Sequence, residues 1–173
     1  LGHTCAVRNN GRACNCGKTG CLEAYASAMG VARTAREWLE LSDEPSLLRN
    51  LDSIASKDVY DAAEQGDEVA KEIFDFTGTI LGQQLADFIA FSAPEAIVLF
   101  GGLTKSGDWI KRPIEEAMNS NVLPLWKDKV KVLFSDLKEA DAAVIQFGIT
   151  STYTVWLDGT NGNIMSYRGS DNT

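Results

Sequence analysis

All four cysteines and the single histidine of this chain fall in one stretch, GHTCAVRNNGRACNCGKTGCLE, that starts at Gly2. A segment so dense in soft ligands and so rich in glycine has few ways to fold. His3, Cys14, Cys16 and Cys21 supply one imidazole and three thiolates, which suits a closed tetrahedral zinc site with Zn–S distances of about 2.3 Å. Bound metal would replace the hydrophobic core that so short a loop cannot build. Gly11, Gly17 and Gly20 would permit the turns that aim three sulfurs inward. Cys5 is left as the spare thiol. Disulfide pairing is the poorer alternative, since Cys14 and Cys16 would close a tiny strained loop. The spacing C-x-C-x4-C is not a generic zinc-finger pattern, and the plain alternative is a set of reduced cysteines. A thioredoxin-type redox motif would need C-x-x-C.

A chain of 173 residues with 45% hydrophobic content can build one domain with its own core, or one lobe of a two-lobed protein. Lys and Arg number 16 against 24 Asp and Glu, for a net charge of −8. That balance leaves no basic face for phosphate backbones, so nucleic-acid binding by this chain is disfavoured. No apolar run approaches the roughly 20 residues of a membrane span, and the start lacks the order of a secretory signal. A cytoplasmic protein is expected, without membrane association.

LGHTCAVRN, residues 1–9, reads as a short strand or extended segment running into a Gly- and Cys-rich knuckle through Cys21. The Ala-rich run from Leu22 to about Leu41 predicts a helix with small residues on its packing side, broken by SDEPS. A short helix over 58–65 is expected, with Asp58 as N-cap and Gly66 ending it. Between Asp67 and Phe91, apolar residues at Val69, Ile73, Phe76, Ile80, Leu81, Leu85 and Phe88 repeat at steps of three and four, as in one long amphipathic helix. EAIVLF, residues 95–100, reads as a strand buried on both faces. DWIKRPIEEAMNSN reads as a helix that Pro113 opens or kinks, and KVKVLFS, residues 129–135, as a second strand. Strand, helix and strand in that order predict a parallel crossover and an α/β fold. After Ala143 the only charges are Asp158, Arg168 and Asp171, and TSTYTVWL, DGTNG and NIMSY read as a β-hairpin or a loose tail. The expected division is therefore 1–143, containing the zinc knuckle 3–21, and a divergent tail 144–173.

GH followed by G..CNCGKTGCLEAYAS resembles the motif of the ROK family, which holds bacterial glucokinases, other hexose and N-acylhexosamine kinases, and sugar-responsive repressors. The resemblance continues through PEAIVLFGGLTKSG to EADAAV, about residues 1–144. It implies the C-terminal lobe of an actin-like ATPase, ribonuclease H-like fold. It also implies that His3 binds zinc through one ring nitrogen and faces the sugar with the other, and that Glu23 accepts hydrogen bonds from sugar hydroxyls. By its position alone Glu23 would be an acid favoured in a first helical turn. Gly101 and Gly102 follow the predicted strand and resemble the loop of this fold that holds ATP with Mg2+. Alone, two glycines there more often mark a tight turn. Lys105 is a possible phosphate neighbour, although a solvated lysine is the plainer reading. A homodimer or homotetramer is the implied assembly.

In the family, an Asp of the N-terminal lobe takes the proton of the attacking hydroxyl. A Glu lies three positions before the His. This sequence starts at Leu1, two positions before His3, so it reads as a C-terminal fragment that holds no catalytic base. The tail departs from the family's terminal helix, and a changed reading frame or a fused foreign segment would account for it. Three functions fit: an ATP-dependent hexose kinase, most simply a glucokinase acting on glucose; a sugar-responsive repressor, whose DNA-binding module would lie upstream; or a zinc-stabilised oligomerisation module. CNCGKTGCLEAYASAMGVARTARE leans towards the glucokinase branch. Which sugar is bound is not written in this segment.

Overall fold

The computed structural model describes residues 2–135 and, beyond them, the backbone of 154–158 and 163–167. Among the described residues four α-helices carry the fold: α1 (Ala28–Leu41), α2 (Ser56–Glu64), α3 (Glu68–Ser92) and α4 (Asp108–Asn121). Two strands, β1 (Ala96–Leu99) and β2 (Lys131–Phe134), pair in parallel with Ala96 opposite Lys131 and Leu99 opposite Phe134. α4 is the crossover between them, as the order of apolar runs predicted. Beyond them β3 (Thr154–Asp158) pairs antiparallel with β4 (Asn163–Tyr167). The other residues of the segment 144–173 lie outside those described.

Helix starts follow capping chemistry. Asp67 caps α3 by accepting the Ala70 N–H, and its other oxygen takes the Ser46 hydroxyl and the Leu47 N–H, so one carboxylate closes two chain ends. Asp58 differs from expectation. It is the third residue of α2 and its carboxylate reaches back to the Ala55 N–H, because the helix begins at Ser56 rather than after Asp58. The helix predicted from Leu22 also starts later. Leu22–Ala24 form a single 3-10 turn, and α1 begins at Ala28 after Ser27 accepts the Gly30 N–H.

The core lies between α3 and its neighbours. Phe74, Ile73, Leu81, Leu85 and Ile89 of α3 are fully buried with Ile97 of β1 and Ile110 and Ile114 of α4. Phe76, Ile80 and Phe88, on the expected stripe, are only partly buried at its rim. α3 and α4 approach so closely that a Cβ on Gly82 would lie 2.8 Å from the Ala117 Cβ and would overlap the Ile114 carbonyl. Pro113 neither opens α4 nor ends it. It sits inside the helix, buried, with its ring where a Gly78 side chain would go. The missing N–H costs α4 one backbone bond, which tight packing of the ring offsets. β1 corrects a further expectation: Ile97 and Leu99 are buried but Ala96 and Val98 only partly so. The helices cover one face fully, and the alternation shows which. No helix among the described residues is long and apolar enough to cross a membrane.

Candidate functional site

The segment from Gly2 to Tyr25 folds as a knuckle with almost no regular structure, held by backbone hydrogen bonds between distant parts of the loop. The Ala6 and Val7 N–H groups both donate to the Gly20 carbonyl, at 2.8 and 3.1 Å, and Gly20 N–H donates to the Arg12 carbonyl at 2.8 Å. Gly20 must be glycine twice over, since its φ is +73° and any Cβ would overlap the Val7 carbonyl. Cys14 N–H donates to Lys18 O and Gly17 N–H to Cys14 O, which closes the tight turn carrying Cys16. On the other side Leu22 N–H donates to Thr4 O and Glu23 N–H to Gly2 O. The segment bearing His3 is thereby laid beside the turn bearing Glu23.

The ligand atoms of His3, Cys14, Cys16 and Cys21 all lie within 4.8 Å of one another. Cys14 Sγ is 3.6 Å from His3 Nδ1, and Cys16 Sγ is 3.6 Å from Cys21 Sγ. A tetrahedral zinc with bonds of about 2.0–2.3 Å requires ligand–ligand edges of roughly 3.5–3.8 Å. The four residues singled out from sequence thus form a donor set that suits zinc in number and chemistry, and two of its edges, at 3.6 Å, match a zinc tetrahedron. Cys5 is outside the set; its thiol points to the Val7 carbonyl at 3.6 Å, and its backbone bridges Cys21. Cys21 is buried while His3 and Cys16 are exposed, so the cluster opens to the surface on one side. Burial, with the two neighbouring sulfurs, pushes the Cys21 thiol up to about 12, whereas the Lys18 backbone N–H draws the Cys16 thiol down. Sulfurs this close repel as anions, and only a cation among them lets all three deprotonate together.

Glu23 joins the cluster from the turn that follows Cys21. Its Oε2 is 3.2 Å from His3 Nδ1 and 3.7 Å from Cys14 Sγ. The His3 and Glu23 side chains remain 43% and 23% exposed, so an imidazole and a carboxylate present polar atoms to solvent side by side. Glu23 stands in the 3-10 turn Leu22–Ala24 and also faces the histidine.

Gly101 and Gly102 follow β1 after Phe100. Gly101 has φ +114°, is buried, and its carbonyl accepts both the N–H and the hydroxyl of Thr104. Gly102 opens a 3-10 turn through Ser106, in which Lys105 is exposed. This is a tight turn after a buried strand end.

Sequence reasoning passed over the residues that fasten the knuckle to the helices. Arg12 is buried, with Nε and Nη2 both donating to Glu37 Oε2 at 2.9 and 2.6 Å. Arg33 Nε donates to the other oxygen of Glu37 at 2.7 Å, and Arg33 Nη1 to the Ala13 carbonyl. Partial burial raises the Glu37 carboxyl, but the hydrogen bonds from Arg33 and Arg12 outweigh it and hold the group below its ordinary value. The spacing of Arg33 and Glu37, four apart in a helix, was the one sequence signal available.

Comparison with known proteins places the chain in a family. The profile of the ROK family matches residues 1–149, slightly past the end of the motif resemblance. A glucokinase of Halalkalibacterium halodurans is 36% identical over 151 residues, covering 86% of this chain and 46% of that protein. A glucokinase of Thermotoga maritima is 34% identical over 149 residues, 84% of this chain and 46% of its own length. The DNA-binding regulator NagC of Escherichia coli K12 is 28% identical over 142 residues, 82% of this chain and 34% of the regulator. Among solved structures, a ROK family transcriptional regulator homologous to the E. coli MLC protein superposes with a TM-score of 0.70 at 28% identity, over 80% of this chain and 35% of that one. A ROK family glucokinase from Streptomyces griseus, in complex with glucose and AMPPNP, gives 0.68 at 31% identity over 77% of this chain and 45% of its own. The chain thus spans just under half the length of the two glucokinases first named. With a profile match over most of its length and an α/β architecture shared with these structures, the chain belongs to the ROK family.

Proposed function

We propose that this chain is the C-terminal lobe of an ATP-dependent hexose kinase, with glucose as the substrate, of the actin-like ATPase fold. The observation that carries the reading is the placement of Glu23 Oε2 at 3.2 Å from His3 Nδ1, both partly exposed, on a loop whose sulfurs converge. A sugar is a neutral polyol, and a carboxylate beside an imidazole supplies fixed acceptors and a donor for its hydroxyls. His3, Cys14, Cys16 and Cys21 would hold a structural zinc, which supplies rigidity to the loop. Gly101 and Gly102 would bring backbone close to the phosphates of ATP with Mg2+.

In the reaction the sugar 6-hydroxyl oxygen forms a bond to the γ-phosphorus as the bond to the β,γ-bridging oxygen breaks, and ADP leaves. The hydroxyl proton passes to a carboxylate that the family resemblance assigns to the N-terminal lobe. His3 and Glu23 orient the sugar for that attack, and holding the acceptor in line is the larger part of such catalysis. A cytoplasmic protein assembled as a homodimer or homotetramer completes the reading.

The test is titration calorimetry of glucose and of ATP, with hexose-dependent ADP release, on the full-length protein carrying this lobe. Glu23→Gln should weaken glucose binding by about tenfold or more, since a charge-assisted hydrogen bond becomes a neutral one. Unchanged glucose affinity in that variant sinks the sugar role of Glu23. The matches to NagC and to the MLC homologue favour a second reading, a sugar-responsive repressor. Binding of a sugar without ADP release, together with sequence-specific DNA binding that the sugar reverses, would select it.

A further inference from the structure

We infer that Arg12 is a positioning residue that holds the metal-ligating loop and the Glu23 turn in one fixed relation, and that Glu37 of α1 sets Arg12 in place. The inference rests on the reading of the cysteine cluster as a metal site. Arg12 lies two positions before Cys14 and is only 9% exposed. A buried guanidinium is costly unless its donors are spent, and here they go to different segments. Nη1 donates to the carbonyl of Ala24, the residue after Glu23, at 3.1 Å, and to the Gly30 carbonyl in the first turn of α1 at 3.5 Å. Nε and Nη2 converge on Glu37 Oε2. The guanidinium carbon stands 4.5 Å from the Tyr25 ring centre and 5.9 Å from that of Phe76 on α3.

Its backbone extends the same links. Arg12 N–H donates to the Tyr25 hydroxyl at 2.8 Å, and Arg12 O accepts from Gly20, the residue before Cys21. One residue thus touches the chain next to Cys21 and next to Glu23, and is tied to two helices. Arg33 adds a parallel link from Glu37 to Ala13, the neighbour of Cys14. A lone structural ion pair would join two elements, whereas this one also joins the ligand loop to the turn that carries Glu23. A lysine offers one point charge and cannot reach Ala24, Gly30 and Glu37 together, so the planar fork is what the site requires.

The experiment uses the 173-residue chain loaded with zinc, or with cobalt(II) as a spectroscopic substitute. Zinc transfer to a chromophoric chelator is timed, and the visible cobalt–thiolate bands are recorded, for wild type, Arg12→Met, Arg12→Lys and Glu37→Gln. Arg112→Met, which removes an exposed ion pair with Asp75 on α3, serves as the control. Loss of an outer partner of a metal site costs about 10–100-fold in affinity. Arg12→Met should release zinc at least about tenfold faster and shift the cobalt bands, Arg12→Lys should not restore either, and Arg112→Met should match wild type. Glu37→Gln, a milder change should Arg12→Met fail to fold, should release zinc several-fold faster. Wild-type release and bands in Arg12→Met or Glu37→Gln, or full rescue by lysine, overturns the positioning role while the metal reading stands. A wild-type chain that takes up neither zinc nor cobalt overturns the metal reading itself.

Discussion

The knuckle of residues 2–25 and the packed pair of α3 and α4 solve the same problem with opposite chemistry. The helices bury Phe74, Ile73, Leu81, Leu85, Ile110 and Ile114 against one another, and their stability comes from apolar area removed from water and close contact. The knuckle buries Leu22, Cys21 and Tyr25 but otherwise relies on directed bonds, from Gly20, Arg12 and the four metal donors. An apolar core tolerates small rearrangements because its forces lack direction. A set of directed bonds fixes a few atoms accurately and has little to fall back on when one is removed. That contrast suits a chain whose proposed site is the knuckle and whose scaffold is the helices.

The largest effect should follow removal of a metal ligand. His3→Ala or Cys16→Ser should cut zinc content from about one per chain to a small fraction, since structural zinc contributes on the order of 10 kcal/mol to folding its own loop. Hydrogen exchange should then show residues 2–25 unprotected while α3 and α4 keep their protection. Unchanged metal content in both variants would break the comparison at its root.

Core truncation should do the reverse. Phe74→Ala leaves a cavity in a fully buried site and should cost about 3–5 kcal/mol in denaturant unfolding, with zinc content retained in the folded fraction. Gly82→Ala, which forces α4 away from α3, should cost about 1–3 kcal/mol by the same measurement. Loss of zinc from folded Phe74→Ala would show that the two regions are not separable.

The smallest effect concerns acid. The Glu37 carboxyl is held below its ordinary value in the folded chain, so its contribution is present above the unfolded value of about 4.3 and is lost as pH falls through the folded value. Glu37→Gln should melt below wild type at pH 7, and the gap should close as the pH is lowered from about 5 to 3. The group is 38% exposed to solvent, which keeps the gap modest. A gap that does not depend on pH would remove the charge from the explanation.

Much of this was written in short stretches of chain. The four residues that could hold a metal come together in the structure as the sequence suggested, because they lie within nineteen residues and the covalent chain itself keeps them near one another. α3 was legible because its apolar residues repeat at helical spacing, and the β1–α4–β2 crossover because chain order and handedness leave few alternatives. Asp58 was misplaced by three residues because several polar residues near a helix start can satisfy its N–H groups, and the N-cap falls at Ala55. The full helix drawn from Leu22 missed the 3-10 turn, since an Ala-rich propensity does not register that Glu23 N–H is taken by Gly2.

By itself, then, the sequence determined which residues could bind metal, where the long helix runs and how the strands connect, because each of those depends on local spacing and chain order. Only the tertiary structure decided that Arg12 is an interior residue, that Glu37 faces it across 25 positions, and that Gly82 stands where another helix must pass. An arginine in a loop and a glutamate in a helix look like surface residues until the fold brings them together. Their pairing depends on a three-dimensional approach that neither residue's neighbours along the chain encode.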